Sequence, residues 1–149
     1  MSGARDYLFV YGTLLSGDGG PTGTAQRARL AREARVIGTG SVEGRLYDLG
    51  RYPGLGVPAH GETVHGEVLE LPGAERTLRW LDVYEGIVPG RHCHNVSGLA
   101  PERPNKVEYE REQRDVTLDD GRTVRAWVYM YRGALTDAKL IADGRWLRT

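Results

Sequence analysis

The sequence predicts an α+β protein built on a twisted or barrel-like mixed sheet. Three observations carry this expectation. Strand-like segments outnumber helical ones. Twenty-one glycines punctuate the chain. No regular alternation of strand and helix sets a βαβ rhythm. A length of 149 residues suits a single domain, 1–149, with a real core.

The elements follow in order. Tyr7 to Tyr11 is a run of β-favouring residues that stops at Gly12-Thr13. Residues 17–23, "GDGGPTG", read as a turn-rich loop. In "TAQRARLAREAR", Ala25, Ala28, Leu30, Ala31 and Ala34 recur near helical spacing, with Thr22 or Thr24 as N-cap. Its mostly alanine face predicts close packing on a sheet. "VIGTGSVEGRLYDLG" alternates weakly and is broken by glycines, which predicts bent or bulged strands.

"RYPGLGVPAHG", with two prolines, reads as a loop. Thr63 to Leu71 alternates as a strand does. Leu78, Leu81 and Val83, with Trp80, mark a short helix that starts near Pro72-Gly73 and closes at Gly86. The clearest hairpin is "KVEYEREQRDVTL", Asp119 to Gly121, then "RTVRAWVYMYRG". Its Asp-Gly predicts a type I′ turn, whose two central residues need positive φ.

Composition excludes several classes. At 40% hydrophobic, 27% charged and zero formal net charge, the chain has no global attraction to nucleic acid or an anionic membrane. No apolar stretch approaches the roughly 20 residues that span a bilayer. Asp6 stands directly before the first apolar run, so a secretory signal is not expected there. Cys93 is the single cysteine, which rules out an intrachain disulfide and makes a reducing cytoplasm the expected setting.

Two segments could carry chemistry. A strand that ends in Gly-Thr presents backbone N–H groups at a sheet rim, and Gly12 lets a ligand approach the backbone closely. Such a loop can hold a carboxylate or an oxyanion. A plain strand end is the commoner meaning of such a segment. It is no P-loop, because the Gly-Lys-Ser/Thr ending is missing. The second segment is "LDVYEG". Asp82 and Glu85, three apart, share a face if the helix persists. Apolar neighbours and the negative end of a helix dipole raise a carboxyl pKa, which suits an acid/base near neutral pH. An exposed carboxylate on a surface helix is the commoner occurrence.

His92-Cys93-His94 does not converge on a metal, since neighbours in an extended chain point oppositely, and no CxxC or HExxH accompanies it. No metal site or cofactor is expected. Cys93 has no obvious base, and Gly-x-Ser-x-Gly is absent. Trp127, Tyr129 and Tyr131 face one side of their strand, as a core face or, for a tyrosine, as a pocket wall. Tyr109 can pair across the hairpin, with Arg111 on its face.

Six segments in this order, "FVYGTLL", "GRLYDLGRYPGL", "TVHGEVLEL", "LDVYEG", "YERE" with "AWVYMY", and "IADGRW", resemble the γ-glutamylcyclotransferase-like family, which includes AIG2-like and γ-glutamylamine cyclotransferase proteins. The resemblance spans nearly the whole chain. It implies a small mixed β-barrel with a few short helices packed outside. It implies that Tyr11, Gly12, Thr13 and Leu14 bind substrate through backbone amides, that Glu85 is the catalytic acid/base, and that Tyr129 touches substrate. The implied activity is metal-independent release of 5-oxoproline from a small γ-glutamyl amine or peptide. A non-catalytic carboxylate binder on the same fold is the alternative. Residues 87–108 form a loop insertion relative to short members; this Pro-, Gly- and Arg-rich segment is expected beside Glu85.

Overall fold

The computed structural model describes residues 6–12, 14–15, 24–48, 53–56, 62–84, 109–131, 139–141 and 144–146. In order these form β1 (Asp6–Val10), α1 (Thr24–Glu33), β2 (Arg35–Glu43), β3 (Arg45–Asp48), β4 (Pro53–Gly56), β5 (Thr63–Leu71), α2 (Ala74–Tyr84), β6 (Tyr109–Leu118), β7 (Thr123–Tyr131) and β8 (Lys139–Ile141). Glu85, Thr13, the 87–108 segment, His60, His92, Cys93 and His94 lie outside the described residues.

Five strands close a barrel in the order β1-β5-β2-β6-β7. Its pairs are antiparallel except the closing one, where β1 meets β7 in parallel at Leu8 opposite Trp127. The barrel is therefore mixed, as expected. A second sheet of three strands, β4-β3-β8, packs on it.

The opening run "YLFVY" lacks alternation because β1 is buried on both faces. Phe9 and Tyr11 belong to the barrel interior with Val68, Val128 and Met130. Leu8 and Val10 face the other way, against Leu78 and Leu81 of α2 and Leu30 of α1. Tyr7–Val10 are thus split between two cores rather than sharing one. The same division sorts β7. Ala126, Val128 and Met130 point into the barrel, while Trp127 and Tyr129 join the layer of the helices.

Several expectations need correction. "PGLG" is a strand, not loop: β4 pairs with β3 from Arg45↔Gly56 to Asp48↔Pro53 and is buried along its length. The strand β8 carries no clear pattern in the sequence, yet Leu140 pairs with Tyr47. The alanines of α1 do not form its buried face. Leu30 is the buried residue of that helix, so small side chains marked the helix without marking its contact. In α2, Leu78 and Leu81 are buried as expected, but Val83 is 61% exposed.

The hairpin is present with a different turn. Leu118 N donates to Arg122 O at 2.7 Å and Gly121 N to Leu118 O at 2.9 Å. Three residues, Asp119 to Gly121, therefore make the loop. Gly121 has φ +96° and no described non-glycine residue has positive φ. This is the pattern of a type I turn followed by a glycine bulge, not type I′. The expected bulge in β2 is found between Val36 and Gly38. Among the described residues no helix is long and apolar enough to cross a membrane.

Candidate functional site

β1 leads into a tight turn at its carboxyl end. Leu15 N donates to Gly12 O at 2.9 Å. Leu14 and Leu15 bury their side chains in the helix-side core. The turn is thus pinned by its side chains. The Leu14 N–H meets no backbone carbonyl among the described residues, and no strand pairing extends beyond Val10. Gly12 is required by contact: a Cβ there would lie 2.5 Å from Cγ and 2.7 Å from Cδ of Pro53. β4 therefore presses directly against the turn.

Tyr11 locks three elements. Its hydroxyl donates to the Tyr129 carbonyl oxygen at 2.6 Å and accepts from Leu55 N at 3.1 Å. The phenol is 6% exposed, so its side chain acts as a strut between β1, β4 and β7. Tyr109 also braces β4, donating to Pro53 O at 2.7 Å. Its ring meets Tyr131, its cross-strand partner, edge to face at 5.3 Å.

Tyr129 projects from β7 toward the last turn of α2. Its hydroxyl donates to Asp82 Oδ1 at 2.6 Å. Arg111, directly opposite Tyr129 in the hairpin, grips the same carboxylate with Nε on Oδ1 at 2.8 Å and Nη2 on Oδ2 at 3.0 Å. The Arg111 guanidinium also lies 4.5 Å from the Trp127 ring centroid. Asp82 and Arg111 side chains are only 13% and 25% exposed. A carboxylate so placed is held in one orientation by a two-pronged cation and a phenol.

The structure thus joins Tyr11, Gly12, Leu14 and Tyr129, four of the residues singled out in the sequence, to Asp82 and Arg111. Asp82 entered the sequence reading only as the neighbour of Glu85, and Arg111 only as a residue sharing a face with Tyr109. The usable signal was register: Arg111 and Tyr129 fall opposite once the hairpin is aligned. Thr13 lies between the described Gly12 and Leu14, and Glu85 directly follows the last described residue of α2. Among the described residues no three His, Cys, Asp or Glu side chains cluster as a metal site requires.

A second polar cluster ties α1 to α2. Glu33 Oε1 accepts from Thr77 Oγ1 at 2.7 Å and from Trp80 Nε1 at 2.9 Å. Arg29 Nε binds Oε2 at 2.9 Å, and its guanidinium sits 4.6 Å from the Trp80 ring centroid. The Trp80 hydrogen bond, then those of Arg29 and Thr77, hold the Glu33 carboxyl down to about 2 against desolvation. This cluster reaches α2 through Thr77 and Trp80, which precede Asp82 in the same helix.

Comparison with known proteins agrees with this architecture. The family model described as Gamma-glutamyl cyclotransferase, AIG2-like matches residues 8–148. A Vibrio cholerae protein provisionally named a gamma-glutamylcyclotransferase is 32% identical over 139 residues, 93% of each chain. YtfP of Escherichia coli, a gamma-glutamylcyclotransferase family protein, is 33% identical over 115 residues, 76% of this chain and 78% of that one. The solution structure of YtfP superposes with a TM-score of 0.57 at 30% identity, over 95% of this chain and 96% of the other. YkqA of Bacillus subtilis gives a TM-score of 0.61 at 20% identity, a likeness of fold; this chain covers 40% of its length, with 96% of this chain aligned.

Proposed function

The chain belongs to the AIG2-like gamma-glutamyl cyclotransferase family, and from that premise we propose that it releases 5-oxoproline from a small γ-glutamyl amine or peptide. The reaction is intramolecular. The substrate's α-amine nitrogen bonds to its own γ-carbonyl carbon, closing a five-membered lactam. The bond from that carbon to the leaving nitrogen breaks. The α-ammonium gives up two protons on becoming the lactam N–H, and the departing nitrogen gains two and leaves as an ammonium. The nucleophile is already in the substrate, so no serine, cysteine or metal is needed.

The protein's tasks are then to fold the substrate for attack and to pass protons from the attacking nitrogen to the leaving one. Glu85 takes a proton from the ammonium, which makes the amine nucleophilic, and gives one to the leaving nitrogen as the carbon–nitrogen bond breaks; the second proton follows the same path as the lactam forms. The backbone amides of Gly12 to Leu14 hold the α-carboxylate or the developing oxyanion. Tyr129 lines the site between them.

One observation carries this reading. Hydrogen bonds run from Tyr11 to the Tyr129 carbonyl, and from the Tyr129 hydroxyl to Asp82. They tie the turn at Gly12 to the helix end that leads into Glu85. That described neighbours of the residues given roles are hydrogen-bonded to one another supports the reading.

The test is turnover of γ-glutamyl amines, γ-glutamyl dipeptides and glutathione, followed as 5-oxoproline. Glu85→Gln is expected to fold with an unchanged melting curve and to lose release by at least about a hundredfold. Full activity in that variant removes Glu85 from the acid/base role. Calorimetric binding of 5-oxoproline by a wild-type protein that turns over none of these compounds makes it a binder instead.

A further inference from the structure

A phenol has one proton to donate, and the Tyr129 proton is directed to Asp82 Oδ1 at 2.6 Å. Whatever else meets the Tyr129 oxygen must then donate to it. Asp82 cannot reverse the arrangement, because a carboxylate only accepts. Nor can it turn away, because Arg111 binds both of its oxygens, at 2.8 and 3.0 Å. Arg111 is in turn backed by the Trp127 ring.

Stability alone is a poor account of this set. Withdrawing an ion pair from water costs about as much as the attraction returns, and apolar replacements often do as well. The arrangement's distinctive result is the fixed sense of one hydrogen bond.

We propose that Asp82 and Arg111 are positioning residues, which orient the Tyr129 hydroxyl and set it as an acceptor for an N–H of the substrate. The proposal rests on the cyclotransferase reading, because that reading supplies the substrate. The N–H is that of the α-ammonium or of the scissile amide, the two nitrogen donors at the reacting end of a γ-glutamyl compound. Asp82 touches no reacting atom; it acts through Tyr129.

The experiment is a double-mutant cycle. Asp82→Asn keeps the shape but brings an amide N–H that can donate to Tyr129 and reverse the bond. It is expected to lower kcat/KM roughly tenfold to a hundredfold. Arg111→Met should fall similarly, and Arg111→Lys, which keeps the charge without the fork, should recover part of the loss. In a Tyr129→Phe background Asp82→Asn should cost less than about twofold, since the hydroxyl it acts through is gone. Melting temperatures measured alongside should show the Asp82→Asn effect on stability in both backgrounds.

An equal loss of kcat/KM in both backgrounds overturns the proposal and leaves the cyclotransferase reading intact. A wild-type protein with no turnover overturns that reading and the substrate contact with it. The hold on Tyr129 is read separately from the Cζ carbon resonance of labelled tyrosine. Asp82→Asn should move the Tyr129 signal, and an unmoved signal overturns the positioning role whatever the turnover.

Discussion

The Tyr11 hydroxyl donates to the carbonyl oxygen of Tyr129, 2.6 Å away and 118 positions later in the chain. The Tyr11 hydroxyl oxygen itself accepts from Leu55 N. A single buried atom therefore satisfies two backbone groups on two further strands. Tyr11→Phe keeps the ring in the barrel core but strands both groups. Leaving buried polar groups unpaired costs about 1–3 kcal/mol each. For the two groups together the expected result is a melting temperature lower by roughly 5–20 °C. The 5-oxoproline assay should also fall, since β7 is released beside the Tyr129 side chain. Thermal unfolding followed by circular dichroism checks the first expectation, and an unchanged midpoint contradicts it.

Gly12 makes the companion contact. Its missing Cβ leaves room for the Pro53 ring, which cannot swing aside as a flexible side chain would. Gly12→Ala must therefore push β4 away or distort the turn. Overpacking of this kind costs about 1–3 kcal/mol. Urea unfolding should show a lower midpoint with an unaltered slope. Activity should drop further than stability, because the amides of Gly12 and Leu14 shift together.

Much of this frame was legible in the sequence, for identifiable reasons. Thr63 to Leu71 alternates because one face fills the barrel. Tyr7 to Tyr11 does not, because Leu8 and Val10 meet helices while Phe9 and Tyr11 fill the interior. β4 was illegible because Pro53-Gly54-Leu55-Gly56 has neither alternation nor β-branched residues. Its strand form comes from pairing with the preceding β3 and from the Tyr11 and Tyr109 hydroxyls, which are distant in sequence. The alanine stripe of α1 misled, since its anchors are Leu30 and the polar Glu33. At the site, the tyrosine and glycine stood out by type and place. The pairing of Asp82 with Arg111 across 29 positions leaves no local pattern. It emerges only when α2 is laid against the β6–β7 hairpin.

The hairpin turn offers a control far from the site. Tyr129 lies near one end of the β6–β7 ladder and Gly121 beyond the other. Gly121 holds φ +96°, and a Cβ added there would meet nothing within 4 Å. Gly121→Ala therefore meets conformational strain without a clash, a cost of about 1–2 kcal/mol. Gly121→Asn should cost less, because asparagine tolerates positive φ better. Both variants should lower the melting midpoint, alanine further than asparagine, and retain 5-oxoproline release.

The Glu33 cluster predicts how stability depends on pH. Its carboxyl is held at about 2 in the folded protein, against 4.5 as its ordinary value, chiefly by the Trp80 indole and then by Arg29 and Thr77. A carboxylate with a depressed folded value stabilises fully above its unfolded value. That contribution is lost as pH falls through the folded value. Wild type should therefore lose stability between about pH 5 and pH 2 through this group. Glu33→Gln removes the titration but keeps an oxygen for Thr77 and Trp80. Its unfolding midpoint should lie below that of wild type near neutral pH, and the gap should narrow toward about pH 2. Glu33→Ala removes the acceptor as well. It should cost about 1–3 kcal/mol, because the fully buried Thr77 hydroxyl loses its partner. Urea midpoints across this range decide the matter: a gap between wild type and Glu33→Gln that stays constant down to about pH 2 contradicts the assignment.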